Sequence, residues 1–139
     1  MLLTRRDMLG MVTGALAATL VNPQKLFAVT LAKPLPHPDP RPGITGEHVL
    51  SHDQLGKRKD AVYDSYDYAR KYPEIFDGIY CVCHCDKGKA GHRSLLACYE
   101  SMQPTGCGTC QEEGEFVGKL AAEGKSLGEI RAAADKEYG

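Results

Sequence analysis

The 139-residue chain contains no tryptophan, only three phenylalanines and little net charge, with a formal value of −1 at pH 7. No apolar run reaches the roughly 20 residues that a membrane-spanning helix needs, and the basic residues form no face of the kind that binds nucleic acid. About 42% of the residues are apolar and 25% are charged, which is typical of a globular domain and not of a disordered chain. The composition therefore predicts one small globular domain, with no nucleic-acid partner.

The N-terminus has the pattern of an export signal. Arg5 and Arg6 precede a weakly apolar stretch from Met8 to Val21, as in twin-arginine signals, where the paired arginines are an address read by the export machinery. We therefore expect residues 1–32 to be a twin-arginine signal peptide with its cleavage region. The protein would be exported to the periplasm or another extracytoplasmic space, and it would stay tethered to the membrane if the signal were not cleaved.

A proline occupies every second position from 34 to 42. Proline fixes φ and lacks a backbone donor, so this pattern favours an extended polyproline II conformation. We expect residues 33–46 to be a Pro-rich linker that acts as a spacer, and residues 47–139 to form the folded, Cys-rich domain.

Apolar periodicity within that domain predicts a mainly α fold, a small helical domain with a Cys-rich loop. Strand signals are nearly absent, and residues 78–83 are the only candidate. The predicted helices cover 53–71, 94–101 and 111–123, and a capping box at Ser126 opens a last helix.

All six cysteines fall between Cys81 and Cys110, which marks the region where the chemistry lies. If the CxCxC run is extended, its three thiols project from one side. Alternate Cα atoms would then be about 6.5–7 Å apart, a poor distance for a disulfide, so a soft metal is the easier bridge. Cys107 and Cys110 form a CxxC knuckle whose two sulfurs can bind one ion. The predicted ligands are Cys81, Cys83, Cys85, Cys107 and Cys110, with Cys98 in support.

Two histidines, His84 and His92, lie within the same segment as the cysteines and are further candidate ligands, although His92 can instead bond a backbone group at a helix N-terminus. Three cations nearby could offset the charge of several thiolates: Lys87, Lys89 and Arg93.

Six thiols exceed the four ligands of one tetrahedral ion, and their softness favours Cu(I), ahead of zinc or an iron–sulfur cluster. Covalent haem is excluded, because Gln111 follows Cys110 where a CxxCH motif needs histidine. The leading hypothesis is an exported soft-metal-binding protein, a carrier or sink that exchanges its ion with a donor or acceptor protein.

Two alternatives stay open. One is a small iron–sulfur or thiol-redox electron-transfer protein. The other is a disulfide-stapled interaction module, since six cysteines in an oxidising compartment could form three disulfides. The sequence identifies no general base for a serine, no carboxylate pair and no phosphate loop, so we do not expect an enzyme.

From about residue 63 onward the sequence resembles the bacterial PCYCGC-motif family. The resemblance rests on Tyr80-Cys81-Val82-Cys83-His84-Cys85, Gly91-His92-Arg93-Ser94-Leu95 and Cys107-Gly108-Thr109-Cys110. It implies an extracytoplasmic Cys/His-rich domain but no particular reaction. Within the motif this chain departs at three positions: Tyr80 replaces proline, Val82 replaces tyrosine and His84 replaces glycine.

Overall fold

The structure, a computed structural model, describes residues 33–84 and 92–139. Its helices are α1 His52–Leu55, α2 Asp60–Lys71, α3 Pro73–Asp77, α4 Leu95–Tyr99, a 3₁₀ turn Gln103–Gly106, α5 Gly108–Ala122 and α6 Leu127–Tyr138. These residues contain no β-strand, which confirms the mainly α class. Within the described ranges, no helix has both the length and the apolar character that crossing a bilayer requires.

The core of the domain centres on Tyr99 of α4. Its ring makes edge-to-face contacts with Tyr66 at 4.8 Å and with Phe76 at 5.6 Å between centroids, and all three rings are fully buried. The Tyr99 hydroxyl donates to the carbonyl of Cys110 at 2.6 Å. Gly114 makes room for this contact, because a Cβ there would overlap the hydroxyl. The core thus fixes the start of α5, where Cys110 lies.

The predicted helix over 53–71 is divided in two. Gly56 has a left-handed backbone with φ 64° and ends α1, and α2 begins only after Lys59. Pro73 follows the end of α2 and opens α3, at a position where a helix needs no N–H. The capping box at Ser126 is confirmed: its hydroxyl accepts the N–H of Glu129 at 3.3 Å, and the Glu129 carboxylate accepts the N–H of Ser126 at 2.8 Å.

The candidate strand over 78–83 was wrong. Residues 81–84 form a turn in which the N–H of His84 donates to the carbonyl of Cys81 at 3.3 Å. An extended segment needs a neighbouring strand for its backbone groups, and the described part of the chain offers none. The extended geometry that argued against contact between Cys81 and Cys83 therefore does not apply.

The Pro-rich residues 33–43 form neither helix nor strand, and they are not free; we call them the proline strap. The strap belongs to the same compact unit as the helices. The N–H of Leu35 donates to Asp135 at 2.6 Å, and Nδ1 of His37 accepts the N–H of Tyr80 at 3.0 Å. The prolines leave few backbone donors to satisfy, and the residues between them bond to the domain. The strap is thus attached to the helices and does not act as a loose spacer.

Asp77 is the buried anchor between the strap and the helices. Arg41 of the strap donates to it through N, Nε and Nη2 at 2.8, 3.1 and 2.9 Å. Arg93 and Ser94 donate at 2.8 and 2.9 Å. Burial alone would raise the pKa of Asp77, but the hydrogen bonds from Arg41, Ser94 and Arg93 outweigh it and hold the pKa at about 2. Arg93, expected near the thiolates, is therefore paired with a carboxylate. Lys87 and Lys89 lie outside the described residues.

Candidate metal centre

Four cysteine sulfurs meet at one point of the domain. The turn after α3 supplies Cys81 and Cys83, α4 supplies Cys98, and the first turn of α5 supplies Cys110; all four Sγ atoms lie within 4.8 Å of one another. The sulfur of Cys81 is 3.0 Å from that of Cys83, 3.3 Å from that of Cys98 and 4.0 Å from that of Cys110. Cys83 and Cys110 are 3.3 Å apart. We call these four residues the four-sulfur cluster.

The cluster has the size of a single-ion site. Zinc–sulfur bonds of about 2.3 Å in a tetrahedron place neighbouring sulfurs about 3.8 Å apart, and the separations here lie on both sides of that value. An iron–sulfur cluster attaches its cysteines to several irons and needs its sulfurs spread further apart. The donor set therefore fits one soft ion better than a polynuclear cluster.

The cluster differs from the ligand set predicted from sequence. Cys98, expected as support, is a full member, whereas Cys107 is not part of the group. The reason is helical phase: α5 starts at Gly108, so Cys107 is its N-cap and Cys110 its third residue, buried against the core. Cys85 lies outside the described residues.

Burial within the cluster is uneven. Cys98 and Cys110 are fully buried and Cys81 is 2% exposed. Cys83 is only half-buried. Cys83 is therefore the member of the cluster closest to solvent, and an ion would most easily enter or leave the cluster beside it.

Cys81 is the cysteine of the cluster whose thiol pKa is lowered, so it is the first to become a thiolate. Hydrogen bonds from Cys110, Cys98 and Cys83 lower the pKa of its thiol despite burial. Conversely, the hydrogen bond to Cys81, together with burial, raises the pKa of the Cys110 thiol. One sulfur thus carries the first negative charge while its neighbours donate to it, and a metal ion would displace these shared protons.

The two predicted histidine ligands lie beside the cluster and not within it. Nδ1 of His92 is 3.2 Å from the sulfur of Cys98, so His92 contacts a candidate ligand. His84 is exposed, and its Nδ1 is 3.1 Å from the hydroxyl oxygen of Tyr80. His84 also has φ 58°, a left-handed conformation that costs a residue with a side chain about 1–2 kcal/mol.

The sequence analysis missed Glu113, a fully buried acid one helical turn after Cys110. Its Oε2 accepts the N–H of Val82, between the two turn cysteines, at 3.1 Å. Burial, followed by the charge of Cys81, raises the pKa of Glu113 to about 9, so the side chain is neutral at pH 7. The sequence did carry a signal for this residue: Glu113 is three residues after Cys110 and four before Val117, the helical spacing that places all three on the buried face of α5.

Fold and site together define a small helical protein with a buried four-thiol site. Residues 43–139 match the family described as a protein of unknown function with a PCYCGC motif. Because this match spans well over half of the chain, the protein belongs to the PCYCGC-motif family. No significant match to a curated protein or to a solved structure was found.

Proposed function

We propose that the protein binds one soft metal ion, Cu(I) in first place, at the four-sulfur cluster of Cys81, Cys83, Cys98 and Cys110. The observation that carries this proposal is the spread of the four sulfurs, all within 4.8 Å of one another. Thiolates are soft ligands that select Cu(I) and zinc over hard cations. The donor set therefore favours a soft ion.

The charge of the loaded site favours Cu(I) over zinc. Zinc held by all four cysteines as thiolates leaves a net charge of −2. Cu(I) is satisfied by two thiolates, and with the other two cysteines still protonated the site carries −1. The surroundings are the buried core and the neutral Glu113, and Arg93 is already paired with Asp77. Since burying charge is costly when it is not compensated, the complex with the smaller charge is favoured here.

A carrier or sink outside the cytoplasm is the role we propose for this site. The twin-arginine pattern at Arg5 and Arg6 supports export of a folded, metal-loaded protein, because that route is associated with substrates that take up cofactors before crossing. A donor or acceptor protein would meet the ion at half-buried Cys83.

The test is an anaerobic titration of the reduced, metal-free protein with Cu(I) in competition with a chromogenic Cu(I) chelator. We expect one ion per chain. Cys98→Ser should weaken binding at least tenfold, because it removes a member of the cluster. Cys107→Ser is the matched control and should stay within threefold of the wild type. Equal effects of the two substitutions would contradict the proposed ligand set, and tighter binding of zinc than of Cu(I) would contradict the choice of ion.

A dithiol redox role is the second candidate, since Cys81 and Cys83 have their sulfurs 3.0 Å apart. In that role the two thiols would give up two electrons and two protons to an external oxidant and form one disulfide. Mild oxidation of the metal-free protein, followed by mass mapping, tests it. A single Cys81–Cys83 disulfide that forms reversibly would support this role. Scrambled products involving Cys107 would count against it.

A further inference from the structure

Two departures from the family motif meet in the structure. Tyr80 stands at the position of the motif's proline and His84 at that of its glycine. The Tyr80 hydroxyl oxygen is 3.1 Å from Nδ1 of His84, and the ring centroids are 6.2 Å apart. The two substitutions therefore form one contact, the Tyr80–His84 pair.

The backbone at this position explains the glycine of the motif. His84 has φ 58°, in the left-handed region that glycine adopts without steric cost. In this chain that conformation is adopted by a residue with an imidazole in place of glycine's hydrogen atom. An uncommon backbone conformation that is retained beside a reactive site points to a use for the side chain.

The position of the pair indicates what that use is. His84 is exposed and directly follows Cys83, the half-buried member of the four-sulfur cluster. The other three cysteines are 2% exposed or less. His84 is not one of the groups that could hold the ion with the sulfurs. It is the exposed neighbour in sequence of the one cluster cysteine that is only half-buried.

The Tyr80–His84 pair engages Nδ1 of the imidazole in either tautomer. Histidines that bind metal commonly donate the N–H of the second ring nitrogen to a fixed partner, which orients the ring. When Nδ1 of His84 carries the proton and donates it to the Tyr80 hydroxyl, Nε2 has the free lone pair. This is the nitrogen that can bind a soft ion.

We propose that His84 is a relay ligand, whose Nε2 binds Cu(I) briefly as the ion passes between solvent or a partner and the four-sulfur cluster. This inference rests on the proposed binding of Cu(I). In the release direction, a Cu–S bond to Cys83 breaks as a Cu–N bond to His84 forms, and the freed thiolate takes up a proton from water. Copper stays Cu(I) throughout, so no oxidant or reductant is needed.

The experiment compares equilibrium binding with transfer rate in the full chain loaded with one Cu(I). Transfer to a chromogenic Cu(I) chelator is followed by stopped flow for the wild type, His84→Gly, Tyr80→Phe and His48→Ala. His84→Gly restores the residue of the motif and removes the steric cost of the left-handed backbone at this position. The urea concentration at which half of this variant is unfolded should therefore not fall below that of the wild type. His48 is an exposed histidine paired with Glu47 and is the control.

We expect His84→Gly to slow transfer at least tenfold while the Cu(I) affinity stays within threefold of the wild type. Tyr80→Phe should slow transfer at least threefold, and His48→Ala should leave it unchanged. Unchanged transfer in His84→Gly would overturn the relay alone. A tenfold loss of affinity in that variant would also overturn it, because His84 would then be a resident ligand. If the wild type bound no Cu(I), the proposed function would be overturned as well. That failure can be told from a failure of the relay alone, because it is seen in the wild type before any variant is compared.

Discussion

Replacing Asp77 with asparagine tests how the strap and the helices are joined. The carboxylate is fully buried and accepts hydrogen bonds from Arg41, Arg93 and Ser94. Asparagine keeps the size of the side chain but offers one oxygen and an amide whose N–H groups face other donors. The change therefore removes a charge to which two cations are paired, and leaves donors without an acceptor.

The contribution of the Asp77 carboxylate to the free energy of unfolding follows from its lowered pKa. A carboxyl held at about 2 in place of 3.8 favours the folded state by about 2.5 kcal/mol once ionised, at 1.36 kcal/mol per pKa unit. Because the pKa is lowered on folding, this stabilisation is complete above the unfolded value. It is lost as the pH falls through 3.8 towards 2. The wild type should therefore lose about 2 kcal/mol through this group between about pH 5 and pH 2.

The assay is urea unfolding of the reduced, metal-free protein, followed by circular dichroism at several pH values in this range. We expect Asp77→Asn to be less stable than the wild type by about 2–3 kcal/mol at pH 5 and to have a flatter pH profile. Asp67→Asn is the control: Asp67 is 50% exposed in its pairs with Arg70 and His52, and such pairs contribute below about 1 kcal/mol. An Asp77→Asn profile as steep as that of the wild type would refute the reasoning.

Two further predictions concern the backbone that carries the cysteines. Glu113→Ala should destabilise the protein by about 1–3 kcal/mol in urea, because the N–H of Val82 in the half-buried turn loses its acceptor; Glu113→Gln, which keeps an acceptor, should recover most of the loss, and equal losses would contradict this role. Burial lowers the pKa of His37 against the opposing charge of Asp135, so the unfolded chain binds the proton more readily and stability should fall as the pH drops below about 6.5. His37→Asn places an amide there that does not titrate in this range and whose Oδ1 can still accept a hydrogen bond. Between pH 7 and pH 5 the unfolding free energy of this variant should therefore change less than that of the wild type; parallel profiles would count against the prediction.

Local sequence signals were sufficient for most of the helices. Apolar spacing in α2 and α5 and the capping box at Ser126 act within a few residues, so they can be recognised without tertiary structure. Gly56 divides the first predicted helix because its left-handed backbone ends α1. The pattern of apolar residues carried no sign of that break.

The membership of the cluster could be predicted only in part. The concentration of cysteines in one short segment indicated a thiol site, and the cluster confirms that such a site can hold a metal ion. Which cysteines take part depends on helical phase and on packing. Tyr99 bonds the carbonyl of Cys110 and fixes the start of α5, and this places Cys110 inside the cluster and Cys107 outside it.

The amino-acid sequence by itself determined a helical, Cys-rich domain of the PCYCGC-motif family, because composition, helical period and motif spacing are properties of neighbouring residues. The tertiary structure alone decided that Cys98 joins the cluster, that Glu113 supports the turn at Val82 and that the strap is attached through Asp77. Each of these contacts joins residues that are distant along the chain. Such pairs meet only when the packing of the core fixes the distance between their elements, and no local pattern encodes that distance.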